Sequence, residues 1–268
     1  MRCYSLAYLT ASNSTIPEFI QIASQVGYAF VGLRLRPNSP GAPFQNYVDD
    51  VAIQNETKKR LDDTGVKVFD IEIIRIGEQF NLSDYVKLLE AGAKLKAKAV
   101  LVAADDTDEN RLADNYARLC EFIMPYGLTG NIEFMPWTAV NNAKAALKLV
   151  AAAGSPKNAG ILIDALHFAR SASSIQDINA VPAEFLHYAQ ICDGASGLHF
   201  TNEQMIHDAR QERLLPGEGS IDLANLFASL PEELPISVEI PNFKRAKAMG
   251  EKEWAKCSLE RSRQILEL

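Results

Sequence analysis

The chain has no Cys-x-x-Cys pair: its four cysteines, Cys3, Cys120, Cys192 and Cys257, are scattered along 268 residues. That spacing excludes a zinc ribbon, offers no disulfide framework, and points to buried thiols in a reducing compartment. It also has no run of Lys or Arg longer than the three residues Lys58, Lys59 and Arg60, and the formal net charge is −7. Binding a nucleic-acid backbone depends on basic side chains that neutralise phosphates, so the expected partner is a small molecule, not nucleic acid. No apolar run approaches the ~20 residues of a membrane helix, and the N-terminal stretch is too short for a secretory signal. No membrane partner and a cytoplasmic location are therefore expected. With no Pro/Gly/Ser-rich linker, residues 1–268 are expected to form one domain.

What is there is a repeat. Short runs rich in β-branched and aromatic residues begin near Cys3, Ala29, Val66, Ala99, Asn131, Gly160, Leu186 and Ile236, with amphipathic stretches between most of them. Thr15 and Glu18 form a capping-box pattern, Gly27 closes that helix, and Gly65 plays the same part before Val66. Ser83 is placed to cap a helix presenting Val86, Leu89 and Ala93. Leu112, Tyr116, Leu119 and Ile123 make a helical stripe ahead of Pro125. The stretch from Ser171 to Ala180 carries little apolar stripe. Eight strand–loop–helix units in about 250 residues predict a single α/β domain, a (β/α)8 TIM barrel, in preference to a doubly wound open sheet.

The last four of these runs lead to an oxygen-bearing side chain: Glu133, Asp164, Gln190 and Glu239. A barrel assembles its site at the C-terminal strand ends, so these four would meet at one mouth. Three carboxylates brought together cannot all stay ionised without a cation or intervening water, which makes them candidate ligands of a divalent metal. Oxygen donors suit Mg²⁺ or Mn²⁺, and Zn²⁺ also fits carboxylates completed by water. With a neutral amide at Gln190, binding is expected to be moderate and exchangeable.

His167 lies three residues after Asp164, above the strand mouth, where an imidazole can donate to a substrate oxygen or exchange protons. His187, His199 and His207 have no comparable placement. Arg213 opens the run Arg-Leu-Leu-Pro-Gly-Glu-Gly, whose stiff turn could aim a guanidinium inward onto a carboxylate or phosphate. Arg210, Arg75, Arg34 and Arg36 are further candidates, with a surface salt bridge as the favoured role for all four; Arg210, Arg75 and Trp137 are kept as substrate-binding candidates. Glu72 faces the barrel interior or the outside depending on register. The segments Arg36 to Asn46 and Asp105 to Asn110 are upper-face loops available as substrate walls.

These residues resemble the xylose isomerase-like TIM barrels, which include sugar and sugar-phosphate isomerases and epimerases and share features with the endonuclease IV fold. The resemblance covers nearly the whole chain. Its specific part is Glu133 in Glu-Phe-Met-Pro-Trp, Asp164 and His167 in Asp-x-x-His, Gln190 with Asp193, the Arg210 to Gly219 segment, and Glu239. It implies that Glu133, Asp164, Gln190 and Glu239 bind metal, that His167 contacts substrate, and that Glu133 and Glu239 carry protons on opposite sides of it. Two departures from the epimerase pattern stand out. Gln190 replaces the usual His, and Ala139 and Val140 occupy the stretch where a second acidic residue often lies. The Gln, the Asp-x-x-His and the Arg-x-x-Arg-x-x-Pro-Gly-x-Gly pattern also resemble 3-dehydroshikimate dehydratases, in which Arg213 would correspond to a carboxylate-binding arginine.

The activity implied is metal-assisted proton abstraction next to a carbonyl of a small sugar, polyol, sugar phosphate or hydroxy acid, giving isomerisation or epimerisation through an enediolate. Dehydration shares the first step and then expels a β-hydroxyl. An endonuclease IV-like nuclease fits the acidic balance and the scarcity of His ligands poorly, and a non-catalytic sugar-binding barrel is a further alternative. The sequence leaves oligomer formation open.

Overall fold

A computed structural model describes residues 2–37, 41, 42, 44, 46–197 and 200–267. Of the loop expected from Arg36 to Asn46, positions 38–40, 43 and 45 lie outside the described residues, as does His199. Eight strands follow one another: β1 Tyr4–Leu6, β2 Phe30–Arg34, β3 Lys67–Ile76, β4 Ala99–Ala104, β5 Thr129–Glu133, β6 Ala159–Asp164, β7 Ala189–Ile191 and β8 Ile236–Val238. All pair in parallel in chain order, and β8 pairs with β1 to close the barrel. With helices in the connections, the architecture is a single (β/α)8 barrel.

Side-chain alternation gives the barrel two apolar layers. Residues such as Leu6, Val31, Ile132 and Val238 pack outward against the helices, while Phe69, Leu101, Leu162 and Tyr188 fill the interior. The first helix, Ile16–Val26, starts with the reciprocal Thr15–Glu18 capping box and ends at Gly27, whose φ of 99° suits a residue without a Cβ. The Leu112, Tyr116, Leu119 and Ile123 face is buried in the helix Glu109–Ile123.

Three local expectations are revised. Asn81, not Ser83, caps the turn Leu82–Tyr85, because its side chain accepts from the Ser83 N–H; the following helix Val86–Lys94 buries Leu88, Leu89, Ala91 and Gly92 in place of Val86 and Ala93. β7 begins at Ala189, since Ala183–Phe185 forms a 3₁₀ turn that delays it past Leu186. The weakly striped sixth connection divides into Ala165–Arg170 and Ile175–Asn179, with Ser174 capping the second piece.

Candidate metal and proton-transfer site

Glu133 and Asp164 are the last residues of β5 and β6, Gln190 is the central residue of β7, and Glu239 directly follows β8. Asp164 and Gln190 are register partners on adjacent strands. All four side chains are buried on the same rim, between 0% and 5% exposed. The barrel topology thus brings together residues that are more than a hundred positions apart in sequence.

Asp164 has two local attachments. It caps the helix Ala165–Arg170, its Oδ1 accepting from the His167 backbone N–H at 2.9 Å, and its Oδ2 accepts from Arg213 Nη1 at 2.5 Å. The cap turns the chain sharply at the strand end, which places the His167 ring over the mouth. There His167 Nε2 lies 3.7 Å from Glu133 Oε1 and 4.0 Å from Asp164 Oδ1, and the Trp137 ring meets the imidazole edge-on at a centroid distance of 5.1 Å.

Arg213 Nη2 pairs with Glu239 Oε2 at 2.9 Å, so one guanidinium bridges the carboxylates of β6 and β8. On the other wall, Arg34 Nη2 pairs with Glu72 Oε2 at 3.0 Å, with the Arg34 guanidinium 4.7 Å from the Tyr8 ring centroid. This resolves the register of Glu72: it faces the interior and lines the site. Arg34, expected at a surface salt bridge, is also inside. A cavity of about 230 Å³ opens among Glu133, Trp137, His167, Glu239, Arg75 and Arg210. Arg75 is paired with Asp105, whereas Arg210 makes no ion pair among the described residues.

Burial dominates the electrostatics. It raises the Glu133 carboxyl well above its usual range, reinforced by the charges of Glu239 and Asp164. It also raises Glu239 to about 7, although Arg213 opposes the shift. For Asp164, burial pushes upward, but Arg213 and His167 outweigh it and hold the carboxyl below its ordinary value. Burial lowers His167 to about 4, so the ring is neutral near neutral pH.

The donor set fits a divalent cation. Of the carboxylates Glu72, Glu133, Asp164 and Glu239, Glu72 pairs with Arg34 and Asp164 and Glu239 share Arg213, whereas Glu133 has no guanidinium partner among the described residues; a cation among the last three would offset their mutual repulsion. Gln190 Oε1 is buried without a hydrogen-bond partner among the described residues, which leaves a neutral carbonyl-type donor available. Glu133, Asp164 and His167 offer ligand atoms within 4.8 Å of one another, a group that could hold a metal ion. This grouping includes His167, which the sequence reading places in substrate contact or proton exchange and not among the metal ligands. Among the described residues, His207, Asp208 and Glu212 form a second such group on the exposed surface.

Sequence reasoning missed Asp193 as an organiser of the site. Its carboxylate accepts backbone N–H groups from Gly194 and Ile221 at Oδ1 and from Gly217 and Gly219 at Oδ2. It thereby fixes the Pro-Gly turn that follows Arg213. The available signal was an acidic residue shortly after a strand, opposite a Gly-rich turn rich in unpaired N–H groups.

No curated protein matches the chain by sequence. A family model for the xylose isomerase-like TIM barrel matches residues 20–265. Among solved structures, a zinc-bound IolI protein superposes with a TM-score of 0.82 at 18% identity, covering 100% of this chain and 98% of its own. A probable 3-DHS dehydratase, AsbF from Bacillus anthracis, gives 0.74 at 15% identity, covering 97% and 98%. A D-allulose 3-epimerase from Methylomonas sp. in complex with D-allulose gives 0.70 at 16% identity, covering 98% and 97%. These structural likenesses establish the fold.

Proposed function

The chain belongs to the xylose isomerase-like TIM barrel family, and on that premise we propose that it is a divalent-metal-dependent isomerase or epimerase of a small sugar or sugar phosphate, acting by proton abstraction next to a carbonyl. The observation that carries the proposal is the pair Glu133 and Glu239. Both carboxyls are buried at the same mouth, on β5 and after β8, and burial raises both above the ordinary carboxylate value, Glu239 to about 7. One acting as base and the other as acid, on opposite sides of a bound substrate carbon, would invert or relocate a C–H bond.

Glu133, Asp164, Gln190 and Glu239 would hold the metal, with Mg²⁺ or Mn²⁺ favoured by the oxygen donors and Zn²⁺ also accommodated. A bound cation supplies Lewis-acid polarisation of the substrate carbonyl. His167, neutral and aimed across the mouth, would hydrogen-bond a substrate oxygen, and the Trp137 ring backing it would orient the imidazole and keep bulk water from that wall. The proposed setting is cytoplasmic.

Incubating the Mn²⁺-loaded protein in D₂O with D-allulose, D-fructose and their phosphates tests this. Incorporation of deuterium next to the carbonyl, abolished in Glu133→Gln, is the expected result; the absence of exchange in every ketose sinks the isomerase reading. A second reading, dehydration of a cyclic hydroxy acid, is favoured by Gln190 and by Arg210 at the cavity wall, which has no ion pair among the described residues. Its test is loss of 3-dehydroshikimate with formation of an aromatic product.

A further inference from the structure

We infer that Arg213 is a built-in counter-ion that positions two of the site's carboxylates, and that Arg210 is the guanidinium that receives an anionic group of the substrate. The assignment rests on this cavity being the substrate site, and it adds to that reading a substrate class: molecules carrying a carboxylate or a phosphate.

The donors of Arg213 are engaged within the protein. Nε donates to Ala209 O at 2.9 Å, Nη1 to Asp164 Oδ2 at 2.5 Å, and Nη2 pairs with Glu239 Oε2 at 2.9 Å. Nη1 also lies 3.3 Å from Cys192 Sγ and 3.4 Å from Glu239 O. Its backbone is fixed as well, the N–H donating to Pro241 O at 3.0 Å and the carbonyl accepting from Asn242 Nδ2 at 3.0 Å. The side chain is 2% exposed. An incoming anion would have to displace a carboxylate from a buried pair, leaving a buried charge without its partner, and that is strongly unfavourable.

Arg210 has the opposite character. It stands three residues before Arg213, at the end of the helix Asn202–Gln211, is exposed, and lines the same cavity with no carboxylate partner among the described residues. Partial burial lowers its pKa, and the positive charges of Arg75 and Arg34 lower it further, so the charges that act on it are of like sign. Arg75 lines the cavity too, its own charge shared with Asp105. An anion seated against Arg210 would relieve this repulsion and find a planar fork ready to form paired hydrogen bonds.

The test is thermal unfolding at low salt with inorganic phosphate or malonate as probe, together with a Mn²⁺ titration. The wild-type Tm should rise with phosphate, malonate or both, the larger rise telling a phosphate from a carboxylate substrate. Arg210→Ala should keep the wild-type Tm without anion and lose the rise. Arg213→Lys should retain the rise, lower the anion-free Tm by about 5 °C or more, and bind Mn²⁺ about 10- to 100-fold more weakly. A rise that persists in Arg210→Ala would overturn the anion assignment, as would a wild type that responds to neither probe. Arg213→Lys with unchanged Tm and Mn²⁺ affinity but no anion response would overturn the counter-ion role. None of these readouts requires turnover, so they stand apart from the deuterium-exchange result.

Discussion

At the scale of single residues, the site depends on carboxyls whose protonation is set by burial. Glu239→Gln preserves shape but removes both a charge paired to Arg213 and a proposed proton carrier. The variant should fold, lose metal affinity, and fall in turnover by about 10²–10⁴-fold; normal turnover with bound metal would reject its assignment. His167 gives a separate prediction. Its folded value of about 4 lies below the unfolded 6.5, so the neutral ring contributes stability that is present above pH 6.5 and lost as pH falls towards 4. The shift corresponds to roughly 3 kcal/mol. His167→Gln should therefore lose less stability than the parent between pH 6.5 and 4, measured by denaturant unfolding of the metal-free protein. Glu239 acts in the other direction, with stability present below pH 4.5 and lost as pH rises through about 7. Measuring His167→Gln in parallel with Glu239→Gln separates the two contributions.

At the scale of elements, the connection from β7 to β8 holds most of what the sequence did not reveal. Four backbone N–H groups converge on Asp193, and a Cβ at Gly219 would lie 2.2 Å from Asp193 Oδ1 and 2.3 Å from the Gly194 carbonyl oxygen. Gly219→Ala should displace the turn. Asp193→Asn replaces one acceptor oxygen by an NH₂ group that faces other donors, and should cost about 3 kcal/mol. Because that turn follows Arg213, the loss should appear in Mn²⁺ affinity as well as in denaturation midpoint; an unchanged metal affinity would show that the turn and Arg213 are independent. The Asp-x-x-His motif is likewise local geometry: Asp164 sets His167 in place as a helix cap besides lending its carboxylate to the site.

At the scale of the whole molecule, a cation that binds only the folded barrel should stabilise it. Mn²⁺ at about 100 times its Kd contributes about 2.7 kcal/mol, or roughly 5–10 °C in Tm for a chain of this size, reversed by chelation. A Tm indifferent to Mg²⁺, Mn²⁺ and Zn²⁺ would remove the metal from the proposal.

The barrel was legible because β-branched runs and Gly-closed helices recur eight times, and the rim because Glu133, Asp164 and Glu239 follow strands too apolar for surface turns. The pairing of Arg213 was not legible, since sequence shows that a guanidinium can face inward without showing which partner reaches it first. Glu72 depended on strand register, and a single-residue ambiguity there reverses its face.

The two halves of the barrel contribute unequal walls to the mouth. Glu133, Asp164, Gln190 and Glu239 come from β5 to β8, while Arg34, Glu72 and Arg75 come from β2 and β3. In evolutionary terms, the four proposed metal ligands are inherited together on one stretch of chain, while Arg34, Glu72 and Arg75 lie on another. Substitution or recombination in the first half can therefore reshape one wall of the cavity while leaving the proposed ligands of the second half in place.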